Sequence, residues 1–298
     1  MKSLLVAMLG LVMALGAVAD DYLVIDCTPP YAAKTYRTVA DLPEGGLTNR
    51  LYARSKLVMR RIPAEAKLGA DFWMGVYPLT QEQCVRLTGE PNPSVWCEPE
   101  GAEPWTTGYG EPAERPVDSL SWVDLRGVEA AGTNGVVSAR GRAGNGDDGA
   151  GRAGNGVSRR SVLGLIAART GHAFDLPTEA QWEFACRAGT TTPHNCTGDP
   201  DTFGWFGWRG RSRYPGFRNH WGATHPVGLK KPNAWGLYDM HANIWEPCLD
   251  LFEPGSALRV IRGGSYANGP NDCRSGFRWK AIPGRASSEQ GVRLVRGL

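Results

Sequence analysis

The segment RGGSYANGPNDCRSGFR, residues 262–278, contains two adjacent glycines, a Ser-Tyr pair, a polar loop and a single cysteine, Cys273. Glycines supply backbone angles that other residues rarely adopt, so such a segment is typical of a loop-rich fold. The role of this segment depends on Cys273, which is either a reactive residue or a structural one. The rest of the sequence bears on both interpretations.

The composition of the whole chain points to the same kind of fold. Its 298 residues include 39 glycines and 11 tryptophans. This mixture predicts irregular segments packed by bulky aromatic side chains. Short predicted strands and few helices together indicate an irregular, loop-rich α+β domain. The net charge of +3 comes from scattered basic residues, which argues against a nucleic-acid-binding protein.

The N-terminal residues 1–19 have the pattern of a secretory signal peptide. Lys2 is followed by an apolar run too short to span a bilayer, and Ala17-Val18-Ala19 fits a cleavage site. We expect an exported protein, located in the periplasm, at the cell surface or outside the cell; an uncleaved anchor is the alternative. No later segment is apolar enough to cross a membrane. Residues 20–54 are predicted as an N-terminal lead-in and residues 55–298 as one domain.

The expected mature chain contains seven cysteines. Export to an oxidising compartment favours disulfides, and an odd count leaves at least one thiol. Cys186 lies in a helical pattern beside aromatic residues, so we predict that it is a buried free thiol. A local bridge between Cys84 and Cys97 is one option for the others.

A glycine-rich stretch interrupts the domain between about residues 128 and 158. Residues 131–156 contain nine glycines and the sequence GRAGNG twice. The glycine spacing differs from that of a phosphate-binding loop. Asp147 and Asp148 lack the alternating spacing of a calcium loop. We therefore predict a flexible surface insertion.

Helix signals are clear at several positions. Thr80 with Gln83 predicts a capped helix that ends at Gly89, and Thr178 with Gln181 predicts another. The segment SVLGLIAARTG predicts a third helix, ending at Gly171. Strands are predicted at YLVID, SKLVMRRI, DFWMGVY and QGVRLVRGL.

Seven segments, in this order along the chain, resemble the successive signatures of the formylglycine-generating enzyme (sulfatase-modifying factor) family. They are FWMGVYPLTQEQ, PVDSLSW, LPTEAQWEFACRAGT, PNAWGLYDMHANIWE, RVIRGGSY, CRSGFR and GVRLV, and they cover roughly residues 55–297. The resemblance implies a variant of the C-type-lectin fold with little regular structure. Family members include copper-dependent oxidases, sulfoxide synthases, siderophore-maturation proteins, hypervariable binding proteins and non-catalytic modules.

The resemblance makes the copper site the deciding feature. In the oxidases, two cysteines bind copper(I), the first of them three residues after the serine of Gly-Gly-Ser. Here that serine is Ser265, the first cysteine position holds Asn268, and the second holds Cys273. An amide binds copper(I) poorly, so we expect no copper. Ser265 and Cys273 are catalytic candidates only for an oxidase; otherwise Cys273 is structural, with Cys248 as its expected disulfide partner.

The segment HANIWE resembles a structural calcium site of the family. The resemblance assigns Asn243 and Glu246 as ligands, and oxygen donors suit calcium. Ala242 replaces the usual glycine, at a cost of roughly 1 kcal/mol if the backbone there needs a positive φ. The alternative is an Asn-Glu pair that hydrogen-bonds the backbone around Trp245.

An aromatic and basic stretch, residues 205–221, is the predicted ligand-binding surface on the loop face. Its candidate residues are Trp205, Trp208, Arg209 and Tyr214. Such residues are common at protein interfaces and stack on sugars, so we expect a protein or carbohydrate ligand. A place in the core is the alternative for these aromatics. The expected function is an exported, non-catalytic binding module; the alternative is an oxidase that converts a sulfatase cysteine to formylglycine.

Overall fold

The computed structural model describes residues 19–63, 65, 68–97, 111–127, 156–207 and 223–298. Residues 1–18 of the predicted signal peptide and most of the glycine-rich stretch lie outside these ranges. Within them, no helix is both long and apolar enough to cross a membrane.

The described residues form eight strands and four α-helices. The strands are β1 (Tyr22–Asp26), β2 (Ala33–Tyr36), β3 (Lys56–Ile62), β4 (Phe72–Gly75), β5 (Glu246–Leu251), β6 (Arg259–Arg262), β7 (Trp279–Ala281) and β8 (Val295–Gly297). The helices are α1 (Gln81–Thr88), α2 (Trp122–Arg126), α3 (Val162–Thr170) and α4 (Glu179–Arg187). Long irregular segments connect them, as an α+β, loop-rich fold predicts.

The larger sheet is antiparallel, with strand order β2-β1-β3-β4-β8. Strand β1 pairs with both β2 and β3, so the predicted lead-in is built into this sheet. The smaller sheet has the order β5-β6-β7, with an irregularity between Pro247 and Leu251. This smaller sheet and the turn after β6 carry most of the residues of the candidate site.

The predicted helix ends are confirmed. Thr80 and Gln83 form a reciprocal capping box, and Gly89 ends α1 with a φ of 70°. Thr178 and Gln181 cap α4 in the same way. These contacts satisfy backbone groups that a helix end leaves without partners, which is why so local a pattern is predictive.

The core lies on both faces of the larger sheet because side chains alternate along its strands. Leu23 and Leu57 face one apolar cluster with α1 and α3, whereas Val24 and Val58 face another with Tyr52. A third cluster joins the two sheets through α4. Its members include Ile62, Phe72, Met74, Trp182, Cys248 and Val260.

Candidate functional site

The turn after β6 is built by two glycines. Gly263 and Gly264 have φ values of 91° and 83°, a region that favours glycine. A Cβ atom on Gly264 would collide with the Sγ atom of Cys273. The Gly-Gly pair therefore lets the backbone lie directly against Cys273 and directs Ser265 into the interior.

The Ser265 hydroxyl lies between two acceptors. Its Oγ atom is 2.7 Å from Oδ1 of Asn268 and 2.8 Å from Oε2 of Glu289. Oδ1 of Asn268 also accepts the backbone N–H of Ser265 at 3.0 Å. The Asn268 amide thus closes the Ser265–Asn268 turn. The sequence analysis did not identify Glu289 as a site residue. The only feature that could have indicated it is the position of its carboxylate, two residues before the GVRLV segment.

Cys273 is fully buried in an apolar cluster with Phe203, Phe206 and Ala242. Burial raises the pKa of its thiol well above the usual value. Cys248 lies in the separate cluster around α4, and both residues are thiols. The expected Cys248–Cys273 disulfide is therefore not formed, because the two side chains pack into different parts of the core.

His241 connects this cluster to Cys186. Its Nδ1 atom is 2.7 Å from the carbonyl oxygen of Cys273, and Nε2 accepts the backbone N–H of Asn195 at 3.1 Å. Burial lowers the pKa of His241 to about 3 and raises that of Cys186 to about 12. The imidazole and the thiol are thus neutral and structural, and the prediction of a buried free thiol at Cys186 is confirmed.

These residues do not fit the copper(I) pair of the oxidases. Two-sulfur coordination needs two thiolates. Position 268 offers an amide oxygen committed to Ser265, and Cys273 is an enclosed, protonated thiol. No reaction step can be derived through copper at this arrangement.

The expected calcium donors are also committed to protein partners. Glu246 contacts Arg293 at 2.8 Å and accepts the indole N–H of Trp182 at 2.6 Å. The Asn243 amide exchanges hydrogen bonds of 3.0 and 3.1 Å with the backbone of His225. Within the part of the chain that the structure describes, no three His, Cys, Asp or Glu residues cluster closely enough to hold a metal ion. As they stand, the two donors do not fit calcium.

The backbone beside these donors adopts the positive φ on which the cost at Ala242 depends. Ala242 and Asn243 have φ values of 65° and 64°. Asparagine tolerates this region, whereas alanine adopts it at a cost. The position of the usual family glycine therefore does require a positive φ.

Trp205 makes close contacts with two side chains. The His225 ring stacks on it at 4.0 Å with an interplanar angle of 8°, and Nζ of Lys230 lies 3.9 Å from its centroid. Its indole is therefore engaged with two side chains of the protein while the residue remains partly exposed. The other candidates for the ligand-binding surface, Trp208, Arg209 and Tyr214, lie outside the described residues.

The chain's membership of a family follows from its sequence as a whole. The pattern described as "Sulfatase-modifying factor enzyme 1-like domain" matches residues 29–298. The chain belongs to this family. The sulfatase-modifying factor fold is also found in solved structures. Treponema denticola variable protein 1 has a TM-score of 0.57 at 21% identity, covering 82% of this chain and 96% of its own. PvdO from Pseudomonas aeruginosa has a TM-score of 0.52 at 19% identity, covering 94% and 92%.

Relatives in the sulfatase-modifying factor family differ in their described roles. Chaperone protein LppX of Paenibacillus barcinonensis is 26% identical over 243 residues, 76% of this chain and 80% of that protein. The formylglycine-generating enzyme of Streptomyces coelicolor is 33% identical over 40% of this chain and 46% of the enzyme. The inactive Cα-formylglycine-generating enzyme 2 of Mus musculus is 30% identical over 40% and 42%. The chain therefore aligns with less than half of either of these two enzyme-like relatives.

Proposed function

We propose that this chain is an exported, non-catalytic binding module of the sulfatase-modifying factor family. The observation that supports it most strongly is the state of the copper position. Asn268 replaces the first cysteine and hydrogen-bonds Ser265 at 2.7 Å, and the remaining thiol, Cys273, is buried. The described roles of a chaperone and an inactive relative favour the same conclusion.

The loop face around Ser265 is suited to binding because its loops are fixed to one another. Among the described residues, we assign 94–97, 265–268 and 287–289 to the same loop face. The rings of Trp96 and Tyr266 meet edge to face at 5.8 Å, and Tyr266 Oη lies 3.3 Å from Ser288 Oγ. Ser265 joins Glu289 at 2.8 Å. Loops held in advance lose little entropy when a ligand binds, which favours affinity.

The buried residue Asp118 holds one segment of the loop face in place. Asp118 is fully buried, and its Oδ1 atom accepts the backbone N–H of Val95 at 2.9 Å. Its backbone N–H donates to Ser94 Oγ at 3.0 Å. Val95 itself is 60% exposed. A buried carboxylate thus positions an exposed apolar side chain next to Trp96, where a protein or carbohydrate ligand would contact it.

A formylglycine-generating oxidase is the second candidate, favoured by the retained Ser265 and Cys273. To separate the two, the purified chain is incubated with copper(I), oxygen and a synthetic peptide carrying the sulfatase cysteine motif. Mass spectrometry of the peptide measures formylglycine. We expect none from the wild type, with an active family enzyme as the positive control.

The matched variant is Asn268→Cys, which restores the second sulfur. It is expected to bind copper(I) more tightly than the wild type, measured by competition with a chromogenic chelator. Conversion of the peptide by the wild type, abolished in Cys273→Ser, would overturn the binding-module proposal.

A further inference from the structure

Strand β7 is the outer strand of the smaller sheet. Within the described residues it pairs only with β6, through Trp279, Lys280 and Ala281. Trp279 and Lys280 are exposed. Alternate residues of an outer antiparallel strand direct their N–H and C=O groups away from the sheet. This edge therefore presents backbone groups to which another strand can pair.

One side of β7 is aromatic. The rings of Phe277 and Trp279 are nearly parallel, at 6.3 Å and 14°, and Phe277 lies 6.3 Å from buried Trp245. These three rings form an aromatic row that begins at Trp245 and ends at Trp279, which is 50% exposed. Since the backbone N–H of Trp245 donates to the carbonyl of Glu289 at 2.8 Å, the aromatic row adjoins the loop face.

The other side of β7 is basic. Arg278 and Lys280 both lie over the ring of Phe252, at 4.8 and 5.6 Å from its centroid. Arg278 is neutralised by Glu179 at 2.9 Å. Three exposed cations form no ion pair with a described carboxylate. They are Lys280 on β7 and, in the turns on either side of this strand, Arg274 and Arg285. β7 itself thus carries one cation without a counter-charge, and the turns that flank the strand carry two more.

We propose that β7 binds an extended acidic segment of a partner protein, which pairs with it as a fourth strand. Backbone hydrogen bonds would supply affinity, and the alternating side chains would meet the aromatic row and the cations in turn. A second copy of β7 is disfavoured, since an edge lysine repels an identical edge. This inference rests on the proposed binding function and names the class of its ligand.

The test uses the full chain and labelled synthetic peptides in fluorescence polarisation at low ionic strength. One peptide alternates valine and glutamate, a second alternates valine and lysine, and a third is the acidic peptide with N-methyl groups on alternate residues. The acidic peptide should bind, the basic one should not, and N-methylation should abolish binding because it removes the backbone donors on one edge.

The matched variants are Lys280→Glu and Lys34→Glu. Lys34 lies on β2, the outer strand of the larger sheet, also over an aromatic ring, at 5.3 Å from the centroid of Tyr36. Lys280→Glu should weaken binding of the acidic peptide by roughly tenfold, and Lys34→Glu should leave it unchanged.

Three results would overturn the inference. They are equal binding of acidic and basic peptides, no effect of Lys280→Glu, and a stable dimer in analytical ultracentrifugation that Trp279→Ala dissolves. Each is independent of the formylglycine assay. If one of these results is found and the chain also does not oxidise the sulfatase peptide, acidic segments are excluded as the ligand of β7. The non-catalytic assignment then remains in place.

Discussion

The carboxylate of Glu246 and the guanidinium of Arg293 meet at 2.8 Å in the interior, where the side chains are 1% and 0% exposed. Arg293 also donates to the carbonyl oxygens of Gly75 at 2.8 Å and of Tyr238 at 2.8 Å. Glu246 begins β5 of the smaller sheet and Gly75 ends β4 of the larger one. One buried ion pair thus connects the two sheets.

Glu246→Gln should lower the free energy of unfolding by about 3–5 kcal/mol, because it leaves the Arg293 charge buried without a counter-charge. Urea denaturation followed by circular dichroism measures the change. The control is Glu82→Gln, which removes a partly exposed pair with Arg86 and should cost about 0.5 kcal/mol or less. Equal effects of the two substitutions would contradict a structural role for the buried pair.

Calcium should leave the midpoint of thermal unfolding unchanged. The reason is that Glu246 and Asn243 already use their donor atoms on Arg293, Trp182 and His225. The measurement compares unfolding with excess calcium and with a chelator. A calcium-dependent rise in the midpoint that disappears in Asn243→Ala would instead establish the family's calcium site in this chain.

The pH dependence of stability should depend on two buried groups with opposite effects. Burial lowers the pKa of His241 to about 3, so its contribution is lost as the pH falls below 6.5. Burial raises the pKa of Asp239 to about 6, although the N–H of Gly228 and the charge of Arg293 partly offset this effect. The contribution of Asp239 to the free energy of unfolding is therefore lost as the pH rises from 3.8 to 6. Between about pH 4 and 6 the two effects cancel.

Asp239→Asn should therefore make the protein more sensitive to acid than the wild type. The difference in unfolding free energy should change by ~1.4 kcal/mol per pH unit between about pH 4 and 6. Urea denaturation over a pH series measures it, with the exposed Asp272→Asn as the control. Parallel curves for Asp239→Asn and the wild type would show that Asp239 is not the group responsible.

Gly264→Ala should lower the unfolding free energy by about 3 kcal/mol, through a strained φ and a collision with Cys273. Adding Cys273→Ala should recover about 1 kcal/mol or more of this loss. Gly263→Ala is the control, because its Cβ would lie 3.2 Å from Trp182 and does not meet Cys273. Strict additivity of Gly264→Ala and Cys273→Ala would contradict the direct contact.

Trp205→Leu should destabilise the protein by about 2–3 kcal/mol, because it removes the contacts with His225 and Lys230. Trp279→Ala should change stability by about 0.5 kcal/mol, since that ring is half exposed. Far-UV circular dichroism is the suitable probe in a chain with 11 tryptophans. A stable Trp205→Leu protein with reduced ligand affinity would instead show that Trp205 belongs to the binding surface.

The sequence was most informative where structure depends on near neighbours. The caps at Thr80 and Thr178 were predictable because donor and acceptor lie three residues apart. The contact of Ser265 with Glu289 was not, since it joins residues 24 positions apart. Composition alone also gave no sign of how Trp205 packs: its segment is aromatic and basic like a ligand surface, but the indole contacts His225 and Lys230, which lie outside that segment.

The assignment of Cys273 shows the same limit. Sequence order placed Cys248 and Cys273 after two successive family segments, which suggested a bridge. Packing directs the first towards Trp182 and the second towards Phe203. Which way a side chain points within an irregular fold depends on contacts made by the whole chain, and these are not encoded in local spacing.

The position of β8 determines when the larger sheet can be completed. Its residues complete the larger sheet beside β4, and Val295 also bridges to Asp175, so segments from the start, middle and end of the chain meet there. During synthesis, β4 is made more than 200 residues before its partner. Until residue 295 has left the ribosome, this edge of β4 stays without a neighbour. The larger sheet is therefore completed only after β8 has been made, and a chain stopped before residue 295 would leave this edge of β4 open to chaperones and proteases.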